Sequence, residues 1–160
     1  MNTGSKIITR ERAAAIAAEA RAADRRVVLA NGCFDLLHVG HARYLAGAKA
    51  CGDVLIVGIN ADESVRRIKG RSQPLLDEEG RARLVAAFEA VDHVVIFAED
   101  NVRGLIADLR PHVHAKGTDY TPESVPERDA VLAIGGEVAI VGDPKDHNTR
   151  DLIHKIRESA

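Results

Sequence analysis

A doubly wound α/β fold, a five-stranded parallel sheet with helices on both faces, is what this sequence predicts, on three observations. Short continuous apolar runs, such as 27–30 (Val-Val-Leu-Ala) and 54–59 (Val-Leu-Ile-Val-Gly-Ile), have the form of parallel strands buried on both faces. Helix-like segments alternate with these runs at short spacing, the order that wraps a parallel sheet. Polar residues follow the strands, where such sheets bind ligands.

In chain order, Thr9 is suited to cap an Ala-rich helix running to Ala23. The first strand covers 27–30. A helix over 39–50 follows, with Gly52 as its C-terminal cap. The second strand is 54–59, with Asn60-Ala61-Asp62 at its carboxyl end. A basic loop leads to an amphipathic helix over 77–89, with Leu84, Val85 and Phe88 on one face. The third strand is 94–97, and the next helix, 102–109, stops before Pro111. A weaker strand at 113–116, a fifth at 137–141 and a helix over 150–157 complete the pattern. The loops 31–41, 60–63, 116–120 and 143–150 should therefore converge on one edge of the sheet. The whole chain, 1–160, reads as a single domain with an N-terminal helical extension over 1–25.

Composition narrows the function. With 22 Lys+Arg against 24 Asp+Glu, nothing favours nucleic acid or an anionic membrane as partner. Cys33 and Cys51 are too few for a disulfide framework and fit free thiols in a reducing cytoplasm. The polar N-terminus lacks an apolar signal core, and no run reaches the length of a membrane span. The expectation is a cytoplasmic protein.

The segment 31–41, Asn-Gly-Cys-Phe-Asp-Leu-Leu-His-Val-Gly-His, sets His38 and His41 around Gly40 where a strand gives way to a helix. Backbone N–H groups, the positive end of a helix dipole and two imidazoles collect there, which suits a polyphosphate. Gly40 and Gly32 allow close backbone approach to a ligand. A zinc site recruiting Cys33 and Asp35 is the alternative, as are ordinary surface histidines. Asp35 is a turn or cap residue, or a carboxylate that orients a substrate or Mg²⁺. In the basic run 66–71, Lys69 and Arg71 are candidates to meet an anionic substrate, with Arg81 a further one; the alternative is a solvated face. His112 and His114 read as structural or exposed, and Cys33 as packing, not a nucleophile.

The segment 31–41 resembles the HxGH signature of the nucleotidyltransferase superfamily, which shares a Rossmann-like fold. The likeness is nearest to the adenylyltransferases that form ADP-heptose from heptose 1-phosphate. It runs from residue 8 onward through Val-Gly-Ile-Asn-Ala-Asp (57–62), Arg-Arg-Ile-Lys-Gly (66–70), Glu-Ala-Val-Asp (89–92), Ala-Lys-Gly-Thr-Asp-Tyr (115–120) and Gly-Gly-Glu-Val (135–138). The resemblance implies that His38 and His41 bind the triphosphate and stabilise the departing pyrophosphate. It implies that Asn31, Gly32, Cys33 and Phe34 wrap the nucleotide phosphates, and that Asp35 sits by the reacting groups. Lys69 would reach an incoming phosphate, Asp62 would line the same pocket, and Lys116, Gly117 and Asp119 would border the nucleotide. ATP with Mg²⁺ is the implied donor and a sugar phosphate the acceptor, its oxygen attacking the α-phosphorus in line without a general base. Self-association as a dimer is a further implication.

The chain departs from the family pattern in two places. A Ser-Thr-Thr-like run before the last helix is here Lys-Asp-His-Asn-Thr-Arg (145–150), so only Thr149 matches; Asn148 is placed to cap the helix and Arg150 to add positive charge. Thr118 replaces a glycine. The alternatives are a cytidylyltransferase acting on a polyol phosphate such as glycerol 3-phosphate, and a nucleotide-binding module without chemistry. Met1 and the N-terminal helix favour a standalone protein, with any sugar kinase a separate chain.

Overall fold

The computed structural model describes residues 2–144 and 148–160. Its five strands are β1 (Val27–Gly32), β2 (Val54–Asn60), β3 (His93–Phe97), β4 (Val113–Lys116) and β5 (Glu137–Ile140), all parallel, in the order β3-β2-β1-β4-β5. The helices are α1 (Arg10–Ala22), α2 (Val39–Lys49), α3 (Asp62–Lys69), α4 (Glu78–Ala86), α5 (Arg103–Leu109), α6 (Arg128–Ala133) and α7 (Thr149–Ser159). Strand side chains alternate between faces, and the core divides accordingly. Val28 and Ala30 face Leu45 and Ala48 of α2 and Ala82 and Val85 of α4. Val27 and Leu29 join the opposite cluster, with Ala13 and Ala17 of α1 and Leu105 and Ile106 of α5. Each of these side chains is fully buried, so the sheet is covered on both sides, as its continuous apolar runs require.

All five predicted strands form, and Thr9 caps α1 by accepting the Arg12 N–H. The N-terminal segment is an integral part of the core. Ile7 bridges to Val94, and Ile8 donates to the Val94 carbonyl at 2.9 Å, so the chain covers the edge strand β3. Among the described residues no helix is long and apolar enough to cross a membrane.

Four sequence expectations need correction. The basic run is helical up to Lys69, since α3 starts at Asp62 immediately after β2. Helix α6 was not predicted; its six residues are too short to show a period. Leu84 is 46% exposed, because α4 turns Arg81, Ala82, Val85 and Ala86 inward. Gly52 does not close α2 with a left-handed turn; the positive-φ glycines among the described residues are Gly70, Gly135 and Gly142. A Cβ at Gly52 would lie 2.8 Å from the Arg26 carbonyl oxygen and 2.7 Å from Val28 Cγ2, so close backbone packing requires the glycine.

His112, just before β4, and His114 within it are structural, as expected. His112 Nδ1 accepts the Val27 N–H at 3.0 Å, stitching β4 to the start of β1. His114 is fully buried, and its Nε2 lies 3.0 Å from Asn31 Oδ1. Burial pushes its pKa from 6.5 down to about 3, with nearby Lys116 a smaller contributor. The ring is thus neutral in the fold and its Nε2–H donates to Asn31.

Two outcomes are expected. Gly52→Ala should lower stability by about 1–3 kcal/mol in denaturant unfolding, since backbone has to move. Below pH 6.5 the unfolded chain protonates His114 while the folded chain does not. Its contribution is therefore intact above that pH and falls toward pH 3, by about 1.4 kcal/mol per unit. Denaturant unfolding across this range should show a shallower acid loss for His114→Asn than for the parent; parallel curves would remove the buried-neutral assignment.

Candidate active site at the carboxyl edge of the sheet

Strand order reverses at β1, which has β2 on one side and β4 on the other. Successive crossovers leave toward opposite faces there, opening a crevice beyond the strand ends. A cleft of about 950 Å³ occupies that place. Residues from all four predicted loops line it, together with Asp100 and Asn101 after β3.

The histidine pair is built into the start of α2. His38 is the N-cap, extended at φ −144° and ψ 174°, and its Nδ1 accepts the Gly40 N–H at 3.1 Å. His41 Nδ1 reaches back to accept the His38 N–H at 3.2 Å. This is a reciprocal capping box written with two imidazoles, their ring centroids 4.0 Å apart. Because each Nδ1 accepts, the neutral rings carry their protons on Nε2 and act as donors there. Among the described residues no three His, Cys, Asp or Glu side chains come together as a metal cage.

The turn before α2 is shaped by packing. Phe34 takes the left-handed conformation (φ 51°), uncommon for a bulky residue, and is buried. Its ring lies 5.4 Å from that of His41 and 6.5 Å from that of Tyr44. Gly32 makes room for this ring, since a Cβ there would sit 3.1 Å from Phe34 Cε2. Tyr44 donates to the Ala115 carbonyl at 2.8 Å, and burial pushes its pKa well up, so it stays a phenol. Burial likewise raises the Cys33 thiol, in keeping with packing over nucleophilic use. Asn31, Gly32, Cys33, Phe34 and Gly40 all border the cleft.

Three candidates are tied into the frame around the cleft. Arg81 is fully buried; it donates from Nε to the Leu76 carbonyl (3.0 Å) and from its terminal nitrogens to the Cys33 carbonyl (2.6 Å) and Asp62 Oδ1 (2.7 Å). A guanidinium out of water needs this full set of acceptors. Asp62 is its counter-ion and lines a separate smaller cleft with Glu63 and Asp77 to Glu79. Asp35, 3% exposed, borders the main cleft, but its carboxylate accepts the backbone N–H groups of Leu75 and Leu76 at 2.9 Å. It anchors that segment and is neither a turn nor a helix cap. Arg71 is exposed and outside the cleft, whereas Lys69, at the end of α3, lines it.

Across the cleft, Lys116, Gly117 and Asp119 form the β4 wall. Thr118 donates to the Asp143 carbonyl at 2.7 Å, and Arg43 pairs with Asp143 at 3.0 Å, joining this wall to the loop after β5. Thr149 Oγ1 donates to the Leu36 carbonyl at 3.3 Å. Asn148 caps α7 by accepting the Asp151 N–H at 2.9 Å, and Arg150 lines the cleft. Residues 145–147 of the altered run lie outside the described residues. Sequence reasoning missed Tyr44, Asp100, Asn101 and Glu127. The first falls three residues after His41 on the same helix face, and the next two follow a strand end, so both signals were present. For Glu127 there was none.

Residues 29–154 match the model of the cytidylyltransferase-like family. Among curated proteins, the bifunctional protein HldE of Pelobacter propionicus is 45% identical over 98% of this chain, and that of Trichlorobacter lovleyi 46% over 98%. The chain spans about a third of the length of these relatives, 32% in both cases. The crystal structure of the lipopolysaccharide core biosynthesis protein from Thermoplasma volcanium superposes with a TM-score of 0.65 at 25% identity, covering 76% of this chain and 99% of that one. The histidine capping box at the strand switch and the match over most of the sheet have one reading: this chain belongs to the cytidylyltransferase-like family.

Proposed function

We propose that this domain is a nucleotidyltransferase that transfers AMP from ATP to the phosphate of heptose 1-phosphate, releasing pyrophosphate. The observation that carries this is the His38–His41 box: two Nδ1 atoms bound by backbone leave imidazole donors at the amino end of α2, beside the cleft. Neutral donors and a helix amino terminus stabilise the charge that grows on a departing pyrophosphate. Lys69 on one wall and Arg150 on another are cations suited to the incoming phosphate and the triphosphate. The acceptor phosphate is already ionised near neutral pH, so the chain need supply no base. Its oxygen attacks the α-phosphorus in line as the bond to pyrophosphate breaks, and positioning with charge stabilisation supplies the rate.

Mg²⁺ enters, in this reading, with the nucleotide. The described residues form no metal cage, and the Asp35 carboxylate is occupied by two backbone donors. Mg²⁺ commonly relies on substrate phosphates for its ligands. Bound with the triphosphate, the ion would shield its charge. The choice of acceptor follows the resemblance to the adenylyltransferases that form ADP-heptose; a reducing cytoplasm is the setting that two free cysteines favour, and a homodimer the assembly that the resemblance implies. The family description, cytidylyltransferase-like, keeps CTP as a second donor to test, with glycerol 3-phosphate as its acceptor.

Pyrophosphate release should be measured with ATP and CTP, each against heptose 1-phosphate and glycerol 3-phosphate. Release with ATP and the heptose is expected; release only with another pair would keep the reaction and replace the substrates. His41→Ala should lower turnover by roughly 10²–10³-fold, the loss from removing one preorganised donor. Near-normal turnover in that variant would take His41 out of the mechanism.

A further inference from the structure

The β4 wall holds a pair of charges separate from the histidines, Lys69 and Arg150. Lys116 and Glu127 both line the cleft, and the side chain of each is only 10% exposed. Two buried charges lose several kcal/mol of hydration each, so a pair present for stability alone would be closed and fully hydrogen-bonded. This one is open. Lys116 Nζ stands 3.9 Å from Glu127 Oε2, and that oxygen has no hydrogen-bond partner. The ammonium instead lies 4.7 Å from the centre of the Tyr120 ring. Glu127 is also the residue before α6, yet its side chain does not cap that helix. Its backbone is held independently, since Arg103 donates to the Pro126 carbonyl at 2.6 Å and pairs with Asp129 at 2.8 Å.

We propose that Glu127 is a positioning residue for nucleotidyl transfer, keeping the Lys116 ammonium charged and available to a phosphate entering the cleft. This rests on the nucleotidyltransferase reading. An ammonium held by charge at 3.9 Å breaks no hydrogen bond when it turns to a phosphate oxygen, where a contact of about 2.8 Å is open to it. Without the carboxylate, burial would favour the neutral amine, which binds phosphate poorly. The pKa pattern agrees: burial lowers Lys116, and Glu127 and then Asp119 oppose it. The charged or titratable groups around the ammonium are Glu127, Asp119 and Tyr120, with His114 on the same strand and Arg103 acting on Glu127.

The test is the pH dependence of kcat/KM for pyrophosphate release in the parent, Glu127→Gln, Glu127→Asp and Tyr120→Phe. Between pH 7 and pH 9 the ratio of Glu127→Gln to parent should fall severalfold, about tenfold being the limit for each unit by which a pKa is lowered. Glu127→Asp should keep the parent's alkaline limb, and Tyr120→Phe should keep it too, which assigns the limb to the lysine and not the phenol. Parallel profiles for Glu127→Gln and the parent would overturn the proposal, as would an equal shift with Asp. A titration of ¹³C-labelled lysine, with the Lys116 signal assigned by its loss in Lys116→Met, needs no turnover. A lower Lys116 pKa in Glu127→Gln supports the proposal even if the parent turns over no substrate pair, and an unchanged one overturns it.

Discussion

The central strand β1 is hydrogen-bonded to β2 along one edge and to β4 along the other, with both faces sealed by apolar packing. Such a strand has no freedom to slip, because a shift of one residue would turn Val28 and Ala30 toward the wrong face. Its carboxyl end is consequently a fixed point, and the chain has to leave the sheet there at the one place where neighbouring crossovers diverge. The turn 33–37, the start of α2 and the cleft all take their positions from that exit.

The segment leaving β1 is held by polar ties whose partners come from distant parts of the sequence. Arg81 grips the Cys33 carbonyl and Asp35 grips the N–H groups of Leu75 and Leu76, so one segment is bound to the other from both directions. His114 steadies Asn31 on the opposite side. None of these three side chains is expected to touch a ligand, yet each fixes a residue that borders the cleft or the segment beside it. Preorganisation of this kind is what lets donors act without reorganising as charge develops.

The strands and the turn that opens α2 were legible in the sequence because burial on both faces leaves continuous apolar runs, and because histidines around a glycine after a strand mark a helix start at the carboxyl edge of the sheet. The roles of Asp62 and Arg81 were not legible. A charged residue near a strand end looks the same whether it meets a ligand or a buried counter-ion, and only the fold brings Asp62 and Arg81 to 2.7 Å. Asp35 misled for a related reason: the backbone donors that occupy its carboxylate begin 40 residues further along the chain. Helix α3 was hidden because Glu63, Arg66, Arg67 and Lys69 are exposed and only Ser64 and Val65 are buried. The final wall, residues 148–151, was anticipated through Asn148 as a cap and Arg150 as a cation.

That wall belongs to a helix unlike the others. None of the residues of α7 is buried, and Ile156 is 61% exposed, while its first turn lines the cleft. Few apolar contacts mean a small free energy for detaching the helix compared with unfolding the sheet. Whatever fraction of molecules has α7 docked sets a ceiling on apparent affinity, since a ligand bound partly by this wall finds a complete site only in that fraction. A ligand that used this wall would bind only as tightly as the docking of this one helix allows, and changes to its outward face would tune that binding without touching a single residue of the cleft.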